Sequence, residues 1–300
     1  MKKSHAIRHS SGDRTFTIIN YIILTIFLLI VLYPIIYVVS ASFSDPKALM
    51  AGKVWLFPVN PTLEAYKATF QYERIWTGFG NSLIYAIVGT CLNIFMTIIA
   101  AYPLSRKDLA GRNVITMIFA FTMWFSGGLI PQYLLVKDLG LLDTRWAIIL
   151  PAALNVWNMI ITRTYFQTNI PDELLESAKL DGCNDFRFIL KIAIPLSAPI
   201  IAVIALFYAV YHWNSYFNAF IYLSDRNLFP LQLILREIIL LNQADDILTG
   251  FNLQEAENRR YMAELLKYST IVVSSLPMII AYPFVQKFFI KGIMVGAIKG

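Results

Sequence analysis

The stretch NIPDELLESAKLDGCNDFRFILKIAIP, residues 169–195, is a polar break between two apolar segments of a very hydrophobic chain. Pro171 suits the first turn of a helix, where its missing N–H costs little, and the acidic Asp172 follows at the positive end of the helix dipole. Gly182 stands where a C-cap needs a positive φ, and Asn184 can cap a second helix. The stretch therefore predicts a helix, a tight turn and a second helix outside the bilayer, called the two-helix element below.

The composition is that of an integral membrane protein. Of the 300 residues, 57% are hydrophobic and 15% are charged, whereas soluble domains carry about 25% charged residues. The two cysteines, Cys91 and Cys183, show neither a disulfide framework nor metal-ligand spacing. We therefore expect no metal site.

Windows free of charged residues predict six transmembrane helices, because a spanning helix needs about 20 mainly apolar residues. The predicted spans cover about residues 16–40, 81–103, 114–136, 146–162, 199–221 and 268–287. The fourth window is barely long enough and contains Pro151. The predicted fold class is an all-α membrane protein, with a basic tail at residues 1–14 and a membrane domain at residues 15–300.

Basic residues near the span ends predict the orientation, because cytoplasmic loops carry an excess of Lys and Arg. The N-terminal tail, the loop between the second and third spans and the C-terminus are all basic, with Lys2, Lys3, Arg8, Arg14, Arg106, Lys107, Arg112, Lys287, Lys291 and Lys299. With six spans these regions share one side, so both termini and the two-helix element are predicted to be cytoplasmic. The net charge of +6 then reflects topology, and no nucleic-acid partner is expected.

The first span could instead be a cleaved signal peptide, since Lys2 and Lys3 precede it and Val39-Ser-Ala41 resembles a cleavage site. Its apolar part, from Phe16 to Val39, is longer than a signal-peptide core of roughly 7 to 15 residues. We therefore favour an uncleaved anchor.

Groups that could carry chemistry are missing from the predicted spans. Apart from Lys287 at the last position of the sixth, no Asp, Glu, Lys or Arg lies within them, whereas proton relays and ion-coupled transporters keep ionisable groups at membrane depth. The sequence lacks a His-Glu-x-x-His pair and a phosphate loop ending in Gly-Lys-Ser/Thr, because Gly52-Lys53 is followed by Val54. We expect no catalytic residue and no cofactor, and another chain would have to bind any ATP.

Uncharged polar and aromatic residues cluster in the fourth and fifth spans. They are Asn155, Trp157 and Asn158 in the fourth span, and His212, Trp213, Asn214, Tyr216 and Asn218 in the fifth. Amide and indole groups are costly to bury without partners, so these side chains should face neighbouring helices or a wet pathway. Aromatic faces and amide groups suit sugar rings, and the candidates for a substrate path are Asn155, Asn158, Trp213, Asn214, Tyr216 and Asn218. Hydrogen bonding between helices, or an interfacial aromatic belt, is the alternative.

The connection between the fifth and sixth spans, Asp225–Lys267, contains an apolar run from Leu231 to Leu241 that is interrupted by the charge pair Arg236-Glu237. This run is too short to span a bilayer and predicts a short helix lying at the interface or packed on the bundle. The charged segment from Asn252 to Lys267 is suited to meeting a soluble partner, and a plain connecting loop is the alternative.

The pattern Glu176-Ser-Ala-x-x-Asp-Gly182, followed by Ile192-x-Ile-Pro195, closely resembles the EAA loop of binding-protein-dependent ABC importer permeases. Ser177 replaces the first alanine of that motif and Ile194 its leucine. The length, the six spans and the C-terminal decapeptide resemble the MalG-type carbohydrate branch. The run from Phe229 to Glu237 resembles LplC/YtcP-type permeases of Gram-positive bacteria, which are associated with aldouronate or pectin oligosaccharides.

The resemblance implies the type I ABC importer permease fold, with a transmembrane type-1 core at residues 75–290 and a cytoplasmic coupling loop at residues 169–195. It implies that an ATP-binding subunit is contacted by Glu176, Ser177, Ala178, Asp181 and Gly182. The implied partners are an ABC ATPase dimer, a second homologous permease subunit, an extracellular solute-binding lipoprotein, a sugar substrate and membrane lipid. The implied location is the plasma membrane of a Gram-positive bacterium.

In this interpretation the Asp225–Lys267 connection contacts the binding protein. Two other interpretations stay open at this point. The chain could be an ABC permease for a non-sugar solute, or a membrane scaffold or intramembrane enzyme without a transport role.

Overall fold

A computed structural model describes residues 11–248 and 253–297, and every regular element in these ranges is helical. In chain order the α-helices are α1 (Ser11–Ser42), α2 (Pro46–Met50), α3 (Glu64–Gln71), α4 (Glu73–Ser105), α5 (Arg112–Phe121), α6 (Leu129–Asp138), α7 (Trp146–Ile149), α8 (Val156–Asn169), α9 (Asp172–Leu180), α10 (Asp185–Phe188), α11 (Ile194–Leu196), α12 (Ala198–Asn214), α13 (Phe217–Tyr222), α14 (Leu231–Leu248) and α15 (Leu253–Ala297). Short 3₁₀ turns lie at Leu150–Ala152 and Arg226–Leu228, and a π-helical turn lies at Ile189–Ala193. The predicted all-α class is confirmed.

Three stretches of helix in the described ranges are long and apolar enough to cross a membrane: Gly12–Ser42, Glu73–Ser105 and Tyr261–Pro283. Two bent pairs of helices meet the same criteria when each pair is taken as one span, which raises the number to five. The pair Trp146–Ala152 and Val156–Asn169 is bent by 48°, and the pair Asp185–Leu196 and Ala198–Asn214 by 81°. These apolar helices are those of a multi-pass membrane protein, and the count of six spans stays a prediction.

The third predicted span, residues 114–136, is interrupted in the structure. Helix α5 ends at Phe121 and α6 begins at Leu129, and each has 10 residues. The interruption contains Gly127 and Gly128, and Gly128 has φ +86°, which a right-handed helix does not use. Hydropathy did not predict the interruption because glycine and serine carry no charge and leave the window apolar.

The predicted connection at Asp225–Lys267 is mostly helical. Helix α14 extends to Leu248, beyond its predicted end at Leu241, and α15 runs from Leu253 through the predicted sixth span without a break. Residues 253–267 contain many good helix formers and no Gly or Pro, which favours this extension.

Parts of the sequence predictions lie outside the described residues. These parts are most of the basic tail (residues 1–10), the segment 249–252 and the C-terminal residues 298–300. The charged side chains from Glu255 to Arg260 are outside the description too, so the predicted partner-facing surface there stays a prediction.

The described chain divides into two compact units, of which the first contains residues up to Gln71 and from Ile238 to Val273. Its core is small and consists of Ala41, Leu49 and Val54 with Tyr37, Val59 and Tyr268 packed around them. A buried hydroxyl pair, Thr69 Oγ1 and Ser269 Oγ at 2.6 Å, links two of its helices. Helix α1 exposes its side chains from Gly12 to Ile35 and thus presents a long apolar surface.

The second unit contains Tyr72–Glu237 and the chain from Ser274 onward, and within it α4 packs against both α8 and α12. Two glycines of α4 allow close approach. A Cβ on Gly89 would overlap the His212 ring of α12, and a Cβ on Gly78 would meet Leu231 Cα of α14 at 3.1 Å. Small residues at such crossings let membrane helices come close enough for van der Waals packing and hydrogen bonding.

Candidate functional site

The two-helix element has the local structure that its sequence predicts. Helix α9 begins at Asp172, directly after Pro171, and ends at Leu180. Gly182 has φ +75°, and its N–H donates a hydrogen bond to the Lys179 carbonyl at 3.0 Å. The Asn184 side chain accepts a hydrogen bond from the Arg187 N–H at 2.8 Å and so caps the second helix. These short-range signals explain why the turn could be predicted.

One face of the two-helix element packs against the C-terminal part of α4 and against α8. Its buried residues are Leu175, Ala178, Phe188 and Ala193, which join Ala101, Tyr102, Leu104, Met159, Phe166 and Ile170 in one hydrophobic cluster. The rings of Tyr102 and Phe166 meet edge to face with centroids 5.7 Å apart. Each large side chain buried in this way contributes roughly 1.5–3 kcal/mol. The two-helix element is therefore attached to α4 and α8 by a shared hydrophobic core.

The opposite face of the two-helix element is exposed. Of the five residues predicted to contact an ATP-binding subunit, Glu176, Ser177, Asp181 and Gly182 are exposed and Ala178 is buried. Two apolar side chains flank the turn on this face, with Leu180 90% exposed and Phe186 72% exposed. These apolar side chains and the exposed polar residues are available for contact with another protein. Ala178 instead belongs to the packing of the element.

An ion-pair cluster attaches the first residue of α9 to the end of α4. The Asp172 carboxylate lies 3.1 Å from Arg106 Nη1 and 2.9 Å from Lys107 Nζ. The hydrogen bond from Lys107, together with the charge of Arg106, holds the pKa of Asp172 below its ordinary value. The Arg106 side chain is 14% exposed, so this contact is less screened by solvent than a surface ion pair.

The same end of α4 is also connected to α8. Arg163 Nε donates a hydrogen bond to the Leu104 carbonyl at 2.9 Å. A cleft of about 300 Å³ opens beside the ion pairs and is lined by Arg106, Lys107, Arg112, Gln167 and Asp172, among others. The two-helix element, α4 and α8 thus meet at a junction rich in positive charge.

The six residues predicted for a substrate path fall into two groups. Trp213 is buried, and its indole N–H donates a hydrogen bond to the Ser274 carbonyl at 2.9 Å. Asn158 is also buried, at the start of α8, where its backbone N–H donates a hydrogen bond to Asn155 Oδ1 at 3.0 Å. The remaining side chains, those of Asn155, Asn214, Tyr216 and Asn218, are exposed or half-buried. Trp213 therefore joins α12 to α15, whereas the Asn155 side chain caps α8. A role of the six residues in a substrate path stays a prediction.

A line of buried hydrogen bonds joins α4 to α12 and to the break before α8. The sequence indicated His212 and Asn155 as polar residues facing neighbouring helices, but not their partners. Asn93 Nδ2 donates to the Ala152 carbonyl, and Asn93 Oδ1 lies 2.6 Å from His212 Nε2. One turn further along α4, Thr97 Oγ1 lies 2.7 Å from the Tyr208 hydroxyl, which also accepts the Asn155 N–H at 3.3 Å. These contacts satisfy backbone groups at the break between Ala152 and Val156, which would be costly to leave unpaired inside a bilayer.

Comparison with known proteins places these features in one family. The family described as "Binding-protein-dependent transport system inner membrane component" matches residues 93–295. The chain is 40% identical to "Protein LplC" of Bacillus subtilis over 300 residues, covering 100% of both chains. It is 41% identical over 288 residues to the "Polygalacturonan/rhamnogalacturonan transport system permease protein YtcP" of the same organism, covering 96% of this chain and 99% of that protein.

A solved structure shows the same fold. It is described as the crystal structure of a bacterial ABC transporter involved in the import of the acidic polysaccharide alginate. The TM-score is 0.84 at 38% sequence identity, and the match covers 95% of this chain and 100% of that one. The resemblance that the EAA-like motif indicates is thereby confirmed over nearly the whole chain.

Proposed function

Because this chain belongs to the family of binding-protein-dependent transport system inner membrane components, we propose that it is the permease subunit through which an ATP-driven importer moves a sugar across the cell membrane. The permease performs no chemistry in this scheme. It provides one half of a path across the bilayer, and a partner supplies the energy of ATP hydrolysis.

The observation that carries this proposal is the two-sided architecture of the two-helix element. Its exposed face presents Glu176, Leu180 and Phe186, while its buried face and Asp172 join it to α4 and α8. A subunit that binds the exposed face can therefore move two membrane helices together with the element. ATP-driven closure of an ATPase dimer would be converted in this way into alternating access of the path.

The proposed topology has six spans with both termini in the cytoplasm. The basic residues of the tail, the loop after α4 and the C-terminus support this orientation. Helices α5 and α6 would cross the bilayer as an interrupted third span, and the two bent pairs would contribute the fourth and fifth. The transmembrane core would cover residues 75–290, and the two-helix element at residues 169–195 would lie in the cytoplasm.

The proposed assembly contains two ATPase copies, a second, homologous permease chain and an extracellular solute-binding lipoprotein. The apolar surface of α1 and the exposed apolar side chains of α5 give this chain extensive area for lipid and for a second permease. The relatives from Bacillus subtilis support the plasma membrane of a Gram-positive bacterium as the location.

The proposed substrate is an oligosaccharide. The names of a relative and of the structural neighbour refer to polygalacturonan, rhamnogalacturonan and alginate, and another relative is named as an arabinooligosaccharide transport permease. The exposed Asn214 and Tyr216 at the end of α12 offer the amide and aromatic groups that sugar rings bind.

Reversing the exposed charge of Glu176 tests the proposal through its effect on ATPase binding. The complex is purified through a tag on this chain, and the ATPase that remains bound is measured for wild type, Glu176→Lys and Asp138→Lys. Asp138 is exposed at the end of α6, outside the two-helix element, and serves as the matched control. We expect only Glu176→Lys to lose the ATPase while still inserting into the membrane. Normal ATPase recovery with Glu176→Lys would refute the assigned docking face.

A further inference from the structure

Arg236 of α14 has two aromatic neighbours, Tyr216 and Phe220, which follow the end of α12 in the chain. The guanidinium carbon of Arg236 lies 4.1 Å from the centroid of the Phe220 ring and 6.0 Å from that of Tyr216. Tyr216 belongs to the residues predicted for the substrate path, whereas Arg236 appeared in the sequence only as half of a charge pair interrupting an apolar run. The three side chains form one group, called the Arg236 cluster.

The backbone behind the Arg236 cluster is fixed by packing. Leu231, Leu233 and Ile234 in the first turns of α14 are buried. Helix α14 approaches α4 at Gly78, and the Leu231 N–H donates a hydrogen bond to Ser82 Oγ at 2.9 Å. Arg236 therefore extends from an anchored helix, which is the kind of support that a binding side chain requires.

The Arg236 cluster is accessible, and its charge is not neutralised in the described part of the chain. Tyr216 is 42% exposed, Phe220 is 50% exposed and Arg236 is half-buried. No carboxylate of the described residues forms an ion pair with Arg236. An arginine without a carboxylate partner is costly against lipid tails, and a helix break such as the one between α12 and α13 is tolerated where it lines water or protein. The cluster therefore fits a wet path better than a lipid-facing surface.

The chemistry of these groups favours an acidic sugar. A guanidinium presents a planar fork of N–H donors that matches a carboxylate with two parallel hydrogen bonds. The exposed parts of Tyr216 and Phe220 offer apolar area beside the guanidinium, against which the C–H face of a pyranose can pack. We infer that the Arg236 cluster binds the carboxylate of a uronic acid unit in the substrate. This inference rests on the proposed function and specifies which class of sugar the permease itself recognises.

Paired sugar probes test the inference in the complete importer. Wild-type and variant complexes are reconstituted in proteoliposomes with the binding protein, and ATP-dependent uptake is measured for trigalacturonate and for its methyl ester, which lacks the charges. Arg236→Gln should raise the apparent KM for trigalacturonate at least about 10-fold, as expected when a charge-assisted hydrogen bond is lost. Uptake of the ester should stay at its wild-type level. Arg236→Lys, which keeps the charge without the fork, should lie between wild type and Arg236→Gln.

Arg226→Gln is the matched control, because Arg226 is exposed in the short turn before α14 and is not one of the three residues of the Arg236 cluster. The same loss with Arg226→Gln would show a general effect of charge and overturn the inference. Equal loss of acid and ester uptake with Arg236→Gln would also overturn it. So would loss of the second permease or the binding protein from the purified Arg236→Gln complex. A defect that disappears in liposomes without anionic lipid would overturn it as well. No change with Arg236→Gln would do the same.

The wild-type importer separates this inference from the proposed function. Uptake of the ester but not of the acid would refute recognition of uronates and leave the proposed sugar importer standing. Absence of uptake for both sugars, with the ATPase still bound, would count against the sugar assignment as well.

Discussion

The Asp172 carboxylate lies 3.1 Å from Arg106 Nη1, and this contact ties the first residue of α9 to the residue that follows the C-terminus of α4. Lys107 adds a second cation at 2.9 Å. The contact complements the hydrophobic cluster beneath α9, so the two-helix element is attached to α4 through both charge and packing. In the proposed function, a force applied to its exposed face would therefore be passed to α4.

Replacing Asp172 by Asn should loosen α9. The variant removes the charge of a partly buried ion pair, and we expect amide exchange in α9 to rise by about 2- to 5-fold, within the range of such pairs. Hydrogen exchange of the purified complex, read by mass spectrometry, measures this change. Asp185→Asn is the control, because Asp185 pairs with Lys179 in a more exposed contact. An equal effect of the two variants would contradict a special role for Asp172.

The stabilisation by Asp172 should be insensitive to pH near neutrality. Its pKa is lowered in the folded protein, first by the Lys107 hydrogen bond and then by Arg106. A carboxylate with a lowered pKa stabilises the fold above its unfolded pKa, and the contribution is lost only as pH falls through the folded pKa. Amide exchange of α9, corrected for intrinsic rates, should therefore show no transition due to Asp172 between about pH 7 and about pH 5. Wild type and Asp172→Asn should have parallel pH profiles in this window. A wild-type transition in this window that is absent in the variant would contradict the assignment.

Substitutions at Gly182 should separate backbone geometry from side-chain size. Gly182 has φ +75°, which proline cannot adopt, whereas asparagine reaches this region at low cost. We expect Gly182→Pro to abolish recovery of the ATPase with the tagged permease and Gly182→Asn to preserve most of it. A Cβ at this position meets no heavy atom within 4 Å, so steric overlap does not confuse the comparison. Loss of the ATPase in both variants would show that the turn geometry is not the cause.

Two glycines of α4, Gly89 and Gly80, should respond differently to replacement by alanine. A Cβ on Gly89 would overlap the His212 ring, which contacts Asn93 at 2.6 Å, and we expect Gly89→Ala to cost about 1–3 kcal/mol through overpacking. Gly80 has open space around the same position, so Gly80→Ala should be neutral or stabilising by up to about 1 kcal/mol. Thermal unfolding in detergent compares the two. A lower melting temperature for Gly80→Ala than for Gly89→Ala would contradict the close crossing of α4 and α12.

The residues predicted for a substrate path should separate by phenotype. Trp213→Phe removes a buried donor to the Ser274 carbonyl and should lower stability by about 1–2 kcal/mol. Asn214→Ala and Tyr216→Ala remove exposed groups and should lower sugar uptake while leaving the melting temperature unchanged. Uptake in proteoliposomes and thermal unfolding are measured on the same preparations. Unchanged uptake kinetics in both alanine variants would remove Asn214 and Tyr216 from the path.

The two-helix element could be predicted because its signals act over a few residues. Pro171, Gly182 and Asn184 each determine local backbone geometry, and each occupies its expected place next to a helix end. The apolar windows likewise predicted the long helices α1 and α4. The break near Gly128 was not predicted, because its residues are uncharged and a hydropathy average does not detect a change of backbone conformation.

The buried polar contacts and the Arg236 cluster could not be predicted from local pattern. Asn93 meets His212 across 119 residues of sequence, and neither residue has a neighbour that indicates its partner. Arg236 resembled a surface charge because Glu237 follows it, whereas the structure places its guanidinium over Phe220. Only the packing of α4 against α12, and the placement of α13 beside α14, brings such residues together.

The central claim is that the two-helix element transmits the work of a bound ATPase to the membrane helices. The most direct measurement is sugar uptake per ATP hydrolysed in proteoliposomes containing the Asp172→Asn permease. If the claim is correct, the ATPase remains bound and hydrolyses ATP, because Glu176 and the exposed face are intact, while uptake per ATP falls several-fold. Unchanged uptake per ATP, in a variant whose ion pairs with Arg106 and Lys107 are lost, would contradict it.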